Sequence, residues 1–547
     1  MLNIKNSSML MLSGVLVVAK PGGMLFAEQA SQPEKPNIVF IFSDDHALRA
    51  IGAYGSGLNE TPNIDRLANE GMVFEQSFCT NSISCPSRAT ILTGKHSHKN
   101  GVLGNGAKWN SQQYVFSRDM KKAGYSTALI GKWHLKGTPD DAFDHWNLLS
   151  GAGGQGHYYN PEFTDKYGKV TQIEGYSTDI ITDKSIAWME NHKNDGKPFM
   201  IMTQFKAPHI HRVPPPRHIN DYDDVNVAEP SNMFDDYQNR SSYAQKSWME
   251  FKGMREPILN IVPEEGKYDL KDRRYQFLAR MSPEQRKAYH EGYDKKNNEY
   301  RKRKAAGAYD DPIVMEKFKY QRYIKDYLGC VAAIDDNVGR ILDWLEAEGL
   351  ADNTIVIYSS DQGFYTGEHG WNDKRWMYEE SLKMPFIIRW PGVAQAGVHS
   401  QAMIQNIDYA PTFLDAADVS IPEEIQGRSL VNVLKGQTPD DWRDAIYYHY
   451  YDDGSYNLPR FEGVRNDRYK LIHYYYPHEE WELFDLIEDP QEMKSVYNNG
   501  KYSDIQAMMH KRLEVIRDEY DVPTLNIESR HKPKARTQKK VNRKKRK

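Results

Sequence analysis

Cysteine is scarce in this chain. Cys79, Cys85 and Cys330 are the only three among 547 residues. That odd number is too small for a disulfide framework and cannot build a thiolate metal cage. Long apolar runs are also missing. Met9 to Val18 is mostly apolar but falls short of the roughly 20 residues that span a bilayer, and no other stretch reaches that length. Positive charge is thin in the body of the chain. The net charge is −4, yet residues 530–547 hold 11 Lys/Arg and no Asp/Glu, so the remainder carries −15. An acidic body argues against nucleic acid as the main partner. The basic tail, about 526–547, has nothing apolar to order it and reads as a solvated, disordered segment.

Near the N-terminus, Lys5 precedes the apolar run and Leu25-Phe26-Ala27 follows it. This is the pattern of a cleaved signal peptide over residues 1–27. It predicts an exported chain, periplasmic or extracellular and soluble after cleavage, without a lipid anchor because no cysteine lies near the cleavage region. Aromatics are abundant, with 35 Tyr and 11 Trp; most are expected to pack in cores.

Several short runs are continuously apolar rather than alternating: Asn37 to Ser43, Ser126 to Gly131, Pro198 to Phe205, Thr354 to Ser359 and Pro385 to Trp390. Strands covered on both faces read this way. Helical patterns lie between them, at Asn63 to Asn69, Asp179 to His192 and Tyr323 to Glu348. Strand-helix-strand order implies an α/β fold around a large, mainly parallel sheet. Residues about 214–316 begin with three prolines and are rich in charge and Tyr, which predicts a mostly helical insertion in a larger N-terminal domain spanning 36–440. From 441 to 525 four short strands and a helix predict a smaller C-terminal α+β subdomain.

Two acidic clusters follow strands directly: Asp44-Asp45 and Asp361-Gln362-Gly363. Ligands of open parallel sheets bind beyond the carboxyl ends of the strands. Convergent carboxylates there would call for a hard cation, Ca²⁺ or Mg²⁺; singly, each cluster reads equally as a helix cap or turn. A third feature is Ser84-Cys85-Pro86-Ser87-Arg88, continuing to Thr93-Gly94-Lys95. Pro86 suits the first position of a helix, and a helix N-terminus with Arg88 in its first turn favours an anion. An ordinary capped helix fits the same residues.

This pentapeptide resembles the signature of the type I sulfatase family: Cys or Ser, any residue, Pro, any residue, Arg, then Thr-Gly. The resemblance continues through Gly131-Lys132-Trp133-His134, Ala207-Pro208-His209, Asp361-Gln362-Gly363, Gly367-Glu368-His369-Gly370 and Asp373-Lys374-Arg375. It implies an alkaline-phosphatase-like sandwich. It also implies that Ser84, two places before Pro86, is oxidised to formylglycine (3-oxoalanine) by an anaerobic sulfatase-maturating enzyme, while Cys85 is a small buried residue. One hydroxyl of the aldehyde hydrate attacks sulfur; deprotonation of the other expels sulfate, so covalent catalysis splits one hard step into two. By the same resemblance Asp44, Asp45, Asp361, Gln362 and modified Ser84 hold one Ca²⁺. Arg88, Lys132 and Lys374 neutralise the transferring sulfo group, His209 protonates the leaving oxygen and His134 serves the hydrate. Gln362 departs from the Asn or His usual in the family.

Ser84 to Lys95, with His98 and Asn100-Gly101-Val102, is similar to the N-acetylglucosamine-6-sulfatase branch, which implies a sulfated oligosaccharide substrate. Candidates for holding the sugar are His211, Arg375, Trp376, Glu379 and Arg465. The rival readings are a two-zinc phosphatase or phosphodiesterase of the related superfamily, and a non-catalytic glycan-binding relative.

Overall fold

The strand Asn37–Asp44 is buried along its whole length, and its side chains divide between two cores. Ile38, Phe40 and Phe42 join one apolar cluster; Val39 and Ile41 join another. A strand that packs helices on both faces has no polar alternation to show, which explains its reading as one apolar run. The computed structural model describes residues 35–451, 456 and 458–525. The expected signal peptide and basic tail lie outside the described residues.

In chain order the main strands are β1 (Asn37–Asp44), β2 (Met72–Phe74), β3 (Ser126–Gly131), β4 (His145–Ser150), β5 (Glu162–Asp165), β6 (Val170–Gln172), β7 (Phe199–Pro208), β8 (Thr354–Ser360), β9 (Phe386–Arg389) and β10 (Val398–Ser400). They form one ten-stranded sheet ordered β10-β2-β9-β8-β1-β7-β3-β4-β5-β6. The central strands β8, β1, β7, β3 and β4 run parallel. The main helices are α1 (Pro62–Asn69), α2 (Ser84–Thr93), α3 (Phe116–Lys122), α4 (Ser177–His192), α5 (Pro283–Ala305), α6 (Pro312–Ala347), α7 (Tyr409–Ala416) and α8 (Ser503–Glu519). Apolar residues of α2, α3 and α7 pack on one face of the sheet, and those of α1, α4 and α6 on the other. This is the expected mainly parallel α/β sandwich.

Three expectations change. The strand expected at Pro385 to Trp390 pairs antiparallel with β8. Residues 361–385 stay at the carboxyl end of β8, where they carry site residues, and the chain returns beside it; parallel pairing would have required a crossover over the sheet. Helix α2 starts at Ser84, so Pro86 is its third residue rather than its first. Pro is tolerated there because N–H groups in the first turn have no intrahelical acceptor. The segment 214–316 is mostly single 3₁₀ turns, and only α5 is a long helix in it. The C-terminal part forms a four-stranded antiparallel sheet, β11 (Ala445–Tyr450), β12 (Arg460–Asn466), β13 (Tyr469–Tyr476) and β14 (Glu480–Asp485), covered by α8.

Candidate active site

The carboxyl ends of β8, β1, β7 and β3 lie side by side in the sheet. They deliver Asp361 and Gln362, Asp44 and Asp45, His209, and Lys132 with His134 to one place. Gly131 makes the last turn feasible: its φ is +111°, and a Cβ there would stand 1.9 Å from the carbonyl oxygen of Gln204. Helix α2 points its N-terminus at the same place. The Ser84 hydroxyl donates to Asp44 Oδ1 at 3.1 Å.

The cluster is buried and nearly balanced in charge. Lys132 pairs with Asp44 and Lys374 with Asp45. Asp361 accepts from the Asp45 amide at 3.1 Å and from Arg88 Nε at 3.3 Å. Arg88 Nη1 donates to Gln204 Oε1 at 2.7 Å and to the Lys132 carbonyl at 3.0 Å, while its Nη2 is buried without a partner. His209 Nε2 lies 3.8 Å from Asp45 Oδ2. Burial pushes the Asp45 carboxyl up, opposed by Lys374 and reinforced by Asp361. Burial acts to raise Asp361 too, but Arg88, Lys132 and Lys374 outweigh it and hold the group below its ordinary value. Burial, with the neighbouring lysines, depresses both His134 and His209 far below the ordinary imidazole value.

Backbone strain concentrates here. Asp45, His134, Asp373 and Arg375 have φ of +68°, +59°, +92° and +100°. Such conformations cost about 1–3 kcal/mol each and persist only where surroundings over-determine them. The Asp45 carbonyl accepts from the Tyr327 hydroxyl at 2.7 Å. The Arg375 amide donates to Ser381 Oγ at 2.9 Å, and the Tyr448 hydroxyl donates to its carbonyl.

The donor set suits a hard cation. Asp44, Asp45 and His209 offer ligand atoms all within 4.8 Å of one another. Gln362 donates its amide nitrogen to Asp45 at 2.5 Å, leaving Oε1 buried with no donor. A buried acceptor without a hydrogen is a natural cation ligand. Asp361 and Gln362 each bond Asp45, so they adjoin the group of Asp44, Asp45 and His209, and the Ser84 hydroxyl meets it at Asp44.

The sulfatase family model matches residues 36–419, and the N-sulphoglucosamine sulphohydrolase C-terminal model matches 367–519. The chain belongs to the sulfatase family. Its reaction is hydrolysis of a sulfuric ester. This sulfatase is 43% identical over 498 residues to an N-acetylglucosamine-6-O-sulfatase of Bacteroides thetaiotaomicron, covering 90% of this chain and 88% of the relative. A solved protein in complex with its substrate D-glucosamine-2-N,6-O-disulfate superposes with a TM-score of 0.86 at 43% identity, over 89% of this chain and 98% of that one. The N-acetylglucosamine-6-sulfatase of Homo sapiens is 25% identical over 449 residues, 78% of this chain and 69% of the relative.

In this sulfatase Ser84, Arg88, Lys132, His134, His209, Lys374 and the other four expected metal residues, Asp44, Asp45, Asp361 and Gln362, come together. The sugar candidates do not all join them. Trp376 is 1% exposed and stacked between Trp371 and Phe461, so it is core and offers no face to a sugar. Glu379 and Arg465 pair with each other at 3.1 Å, and Lys470 adds a second contact to Glu379 at 2.8 Å. They tie the loop after β8 to the C-terminal sheet. Arg375 stays near the site, 2.7 Å from Asp373 and stacked on Tyr456 with its centre 3.9 Å from the ring. His211 turns to Phe277, with ring centres 4.2 Å apart. Sequence reading missed Gln204 and Gln155, the latter accepting from Lys132 Nζ at 3.3 Å. It also missed the half-exposed Trp248, whose ring lies 5.3 Å from the Arg375 guanidinium. Lys206 could have been flagged by its place one residue before Ala207-Pro208-His209.

Proposed function

We propose that this sulfatase hydrolyses the 6-O-sulfate ester of N-acetylglucosamine or N-sulfoglucosamine in glycosaminoglycan or mucin-type glycans. The observation that carries the reading is the Ser84 hydroxyl beside the carboxylate cluster, framed by Arg88, Lys132 and Lys374, in a chain 43% identical to an N-acetylglucosamine-6-O-sulfatase. Oxidised to formylglycine by an anaerobic maturating enzyme before export, Ser84 would supply the hydrated aldehyde as nucleophile. Asp44, Asp45, Asp361, Gln362 and the modified Ser84 would hold one Ca²⁺, which when bound polarises the nucleophile and clamps a sulfate oxygen.

The chain's own residues do the rest. Arg88, with Nη2 uncommitted, presents a fixed positive charge to the sulfo group, and Lys132 and Lys374 complete a cationic rim. His209, beside Asp45, gives the proton to the departing sugar oxygen once the bound sulfate's negative charge opposes the burial and the lysines that depress its protonation. His134, held in a left-handed backbone conformation by the turn after Gly131, faces the hydrate. Arg375 holds the sugar. The protein works outside the cytoplasm, in the periplasm or beyond. Its catalytic domain spans 36–440 and its C-terminal subdomain 441–525.

A panel of 6-, 4-, 3- and 2-O-sulfated mono- and disaccharides tests the reading. Release from 6-sulfated glucosamine is expected. Release from 2-O-sulfated uronic acid but not from 6-sulfated glucosamine would reject it.

A further inference from the structure

The insertion between β7 and α6 carries a cavity of about 680 Å³. Its walls present Arg255, Arg273, Arg274, Arg301, Lys304 and Lys319. One carboxylate, Glu256, joins them and is taken up by Lys304 at 2.6 Å. Arg274 is paired with Asp272 at 2.6 Å, and Lys319 donates to the Lys252 carbonyl at 2.6 Å. Among the described residues, Arg255 and Arg273 have no ion-pair partner and both are exposed. The floor is apolar, with Met254, Ile258, Ile261 and Tyr275. On a body that carries −15, six cations around one groove are a concentrated exception. A cleft whose charge is predominantly of one sign focuses field on a ligand of opposite charge.

His211, two residues after His209, lines this groove. Gln155 accepts from the catalytic Lys132. Its neighbour Gly156 lines a second cavity of about 150 Å³, together with Lys206, Arg280 and His211. His211 lines the larger cavity too, so it borders both. Lys206 and Arg280, the latter paired with Glu162 at 3.2 Å, add cationic side chains to the smaller cavity.

We infer that this basic groove binds the remainder of a sulfated oligosaccharide chain, beyond the sugar whose ester is cleaved. The inference rests on the proposed function for the identity of the cleaved sugar. Sulfate groups meet Arg255 and Arg273, and the apolar floor with Tyr275 takes sugar faces.

The test compares wild type with Arg255→Glu/Arg273→Glu on a 6-O-sulfated monosaccharide and on an oligosaccharide carrying the same terminal residue plus further sulfates. Charge reversal is expected to raise KM for the oligosaccharide about tenfold, the lower end of the gain such clefts give, and to flatten its salt dependence. Monosaccharide kinetics and the melting temperature are expected to stay as in wild type. An unchanged oligosaccharide KM overturns the inference, as does an equal change for both substrates. If the reversal disturbs folding, Arg255→Gln/Arg273→Gln gives the same comparison with milder chemistry. Tighter wild-type binding of single-stranded DNA than of the sulfated oligosaccharide also overturns it. Should neither substrate be hydrolysed, the proposed function fails, and direct titration of wild type and variant with the oligosaccharide still decides the groove.

Discussion

Arg88→Met keeps the apolar stem of the side chain over Phe42, whose ring lies 4.8 Å from the guanidinium, and removes the charge. Three acceptors lose their donor: Asp361 Oδ2, Gln204 Oε1 and the Lys132 carbonyl. All belong to buried residues. A neutral buried acceptor left unpaired costs about 1–3 kcal/mol. Breaking a buried ion pair costs about 3–5 kcal/mol. Lys132 and Lys374 still face Asp361, so the total should fall near the lower end, about 3 kcal/mol, rather than at the sum. Catalysis should suffer separately, because the buried Nη2 has no protein partner and is the donor left for the sulfo group. Loss of such a donor lowers kcat about 100- to 1,000-fold. The assay is sulfate release from 6-sulfated glucosamine well below the melting temperature, normalised to folded chains in which Ser84 is two hydrogens lighter. Arg88→Lys restores charge without the three-way fork and should lie between. Normalised activity of Arg88→Met within about threefold of wild type, against the expected hundredfold, would refute the argument.

Cys85→Ala should retain activity: its thiol is buried and directed to the His134 carbonyl rather than the carboxylates. Ser84→Ala should abolish turnover and, because Asp44 loses the hydroxyl donor but keeps Lys132, lower the melting temperature only slightly; steady-state assay and thermal melts check both variants. Gln362→Leu removes the unpartnered amide oxygen, and Ca²⁺ titration followed by melting temperature should show affinity weakened about tenfold or more. Away from the site, Glu462 is held down to about 2: burial acts to raise it, but His473, His449, Tyr447 and Arg517 outweigh that. Because its folded pKa lies below the ordinary 4.5, its stabilisation is full above about pH 4.5 and lost as pH falls toward 2. Glu462→Gln should lower stability by about 3 kcal/mol at neutral pH and converge with wild type near pH 2 in denaturant melts.

The central strands were legible because burial on both faces writes β1, β3, β7 and β8 as apolar runs of the right length. The edge strands were not. All three residues of β6 are exposed, so it has no apolar face to read; β4, further in, does alternate polar and apolar over His145, Trp146, Asn147 and Leu148, but that half-buried stretch is short. Helix α6 begins at Pro312, eleven residues before the expected start at Tyr323, because its first turns bury little and show no apolar stripe. The candidate cluster was legible from motifs, since its residues sit at strand ends and in the first turn of one helix. Sugar contacts were not, because availability is a tertiary property. Trp376 and Trp248 are both tryptophans in charged surroundings, yet one is enclosed by Trp371 and Phe461 and the other is 48% exposed beside Arg375. The basic groove draws Arg255, Arg273, Arg301 and Lys319 from separated stretches, so no local string announces it.

The central claim is that Ser84, rather than Cys85, is the reactive position of a formylglycine sulfatase. Peptide mass spectrometry across residues 84–88 of protein with verified sulfatase activity tests it most directly. The account predicts Ser84 two hydrogens lighter, or as its hydrate, with Cys85 unmodified. Full activity in protein whose Ser84 carries an ordinary hydroxymethyl side chain, or an aldehyde found at Cys85 instead, would contradict it.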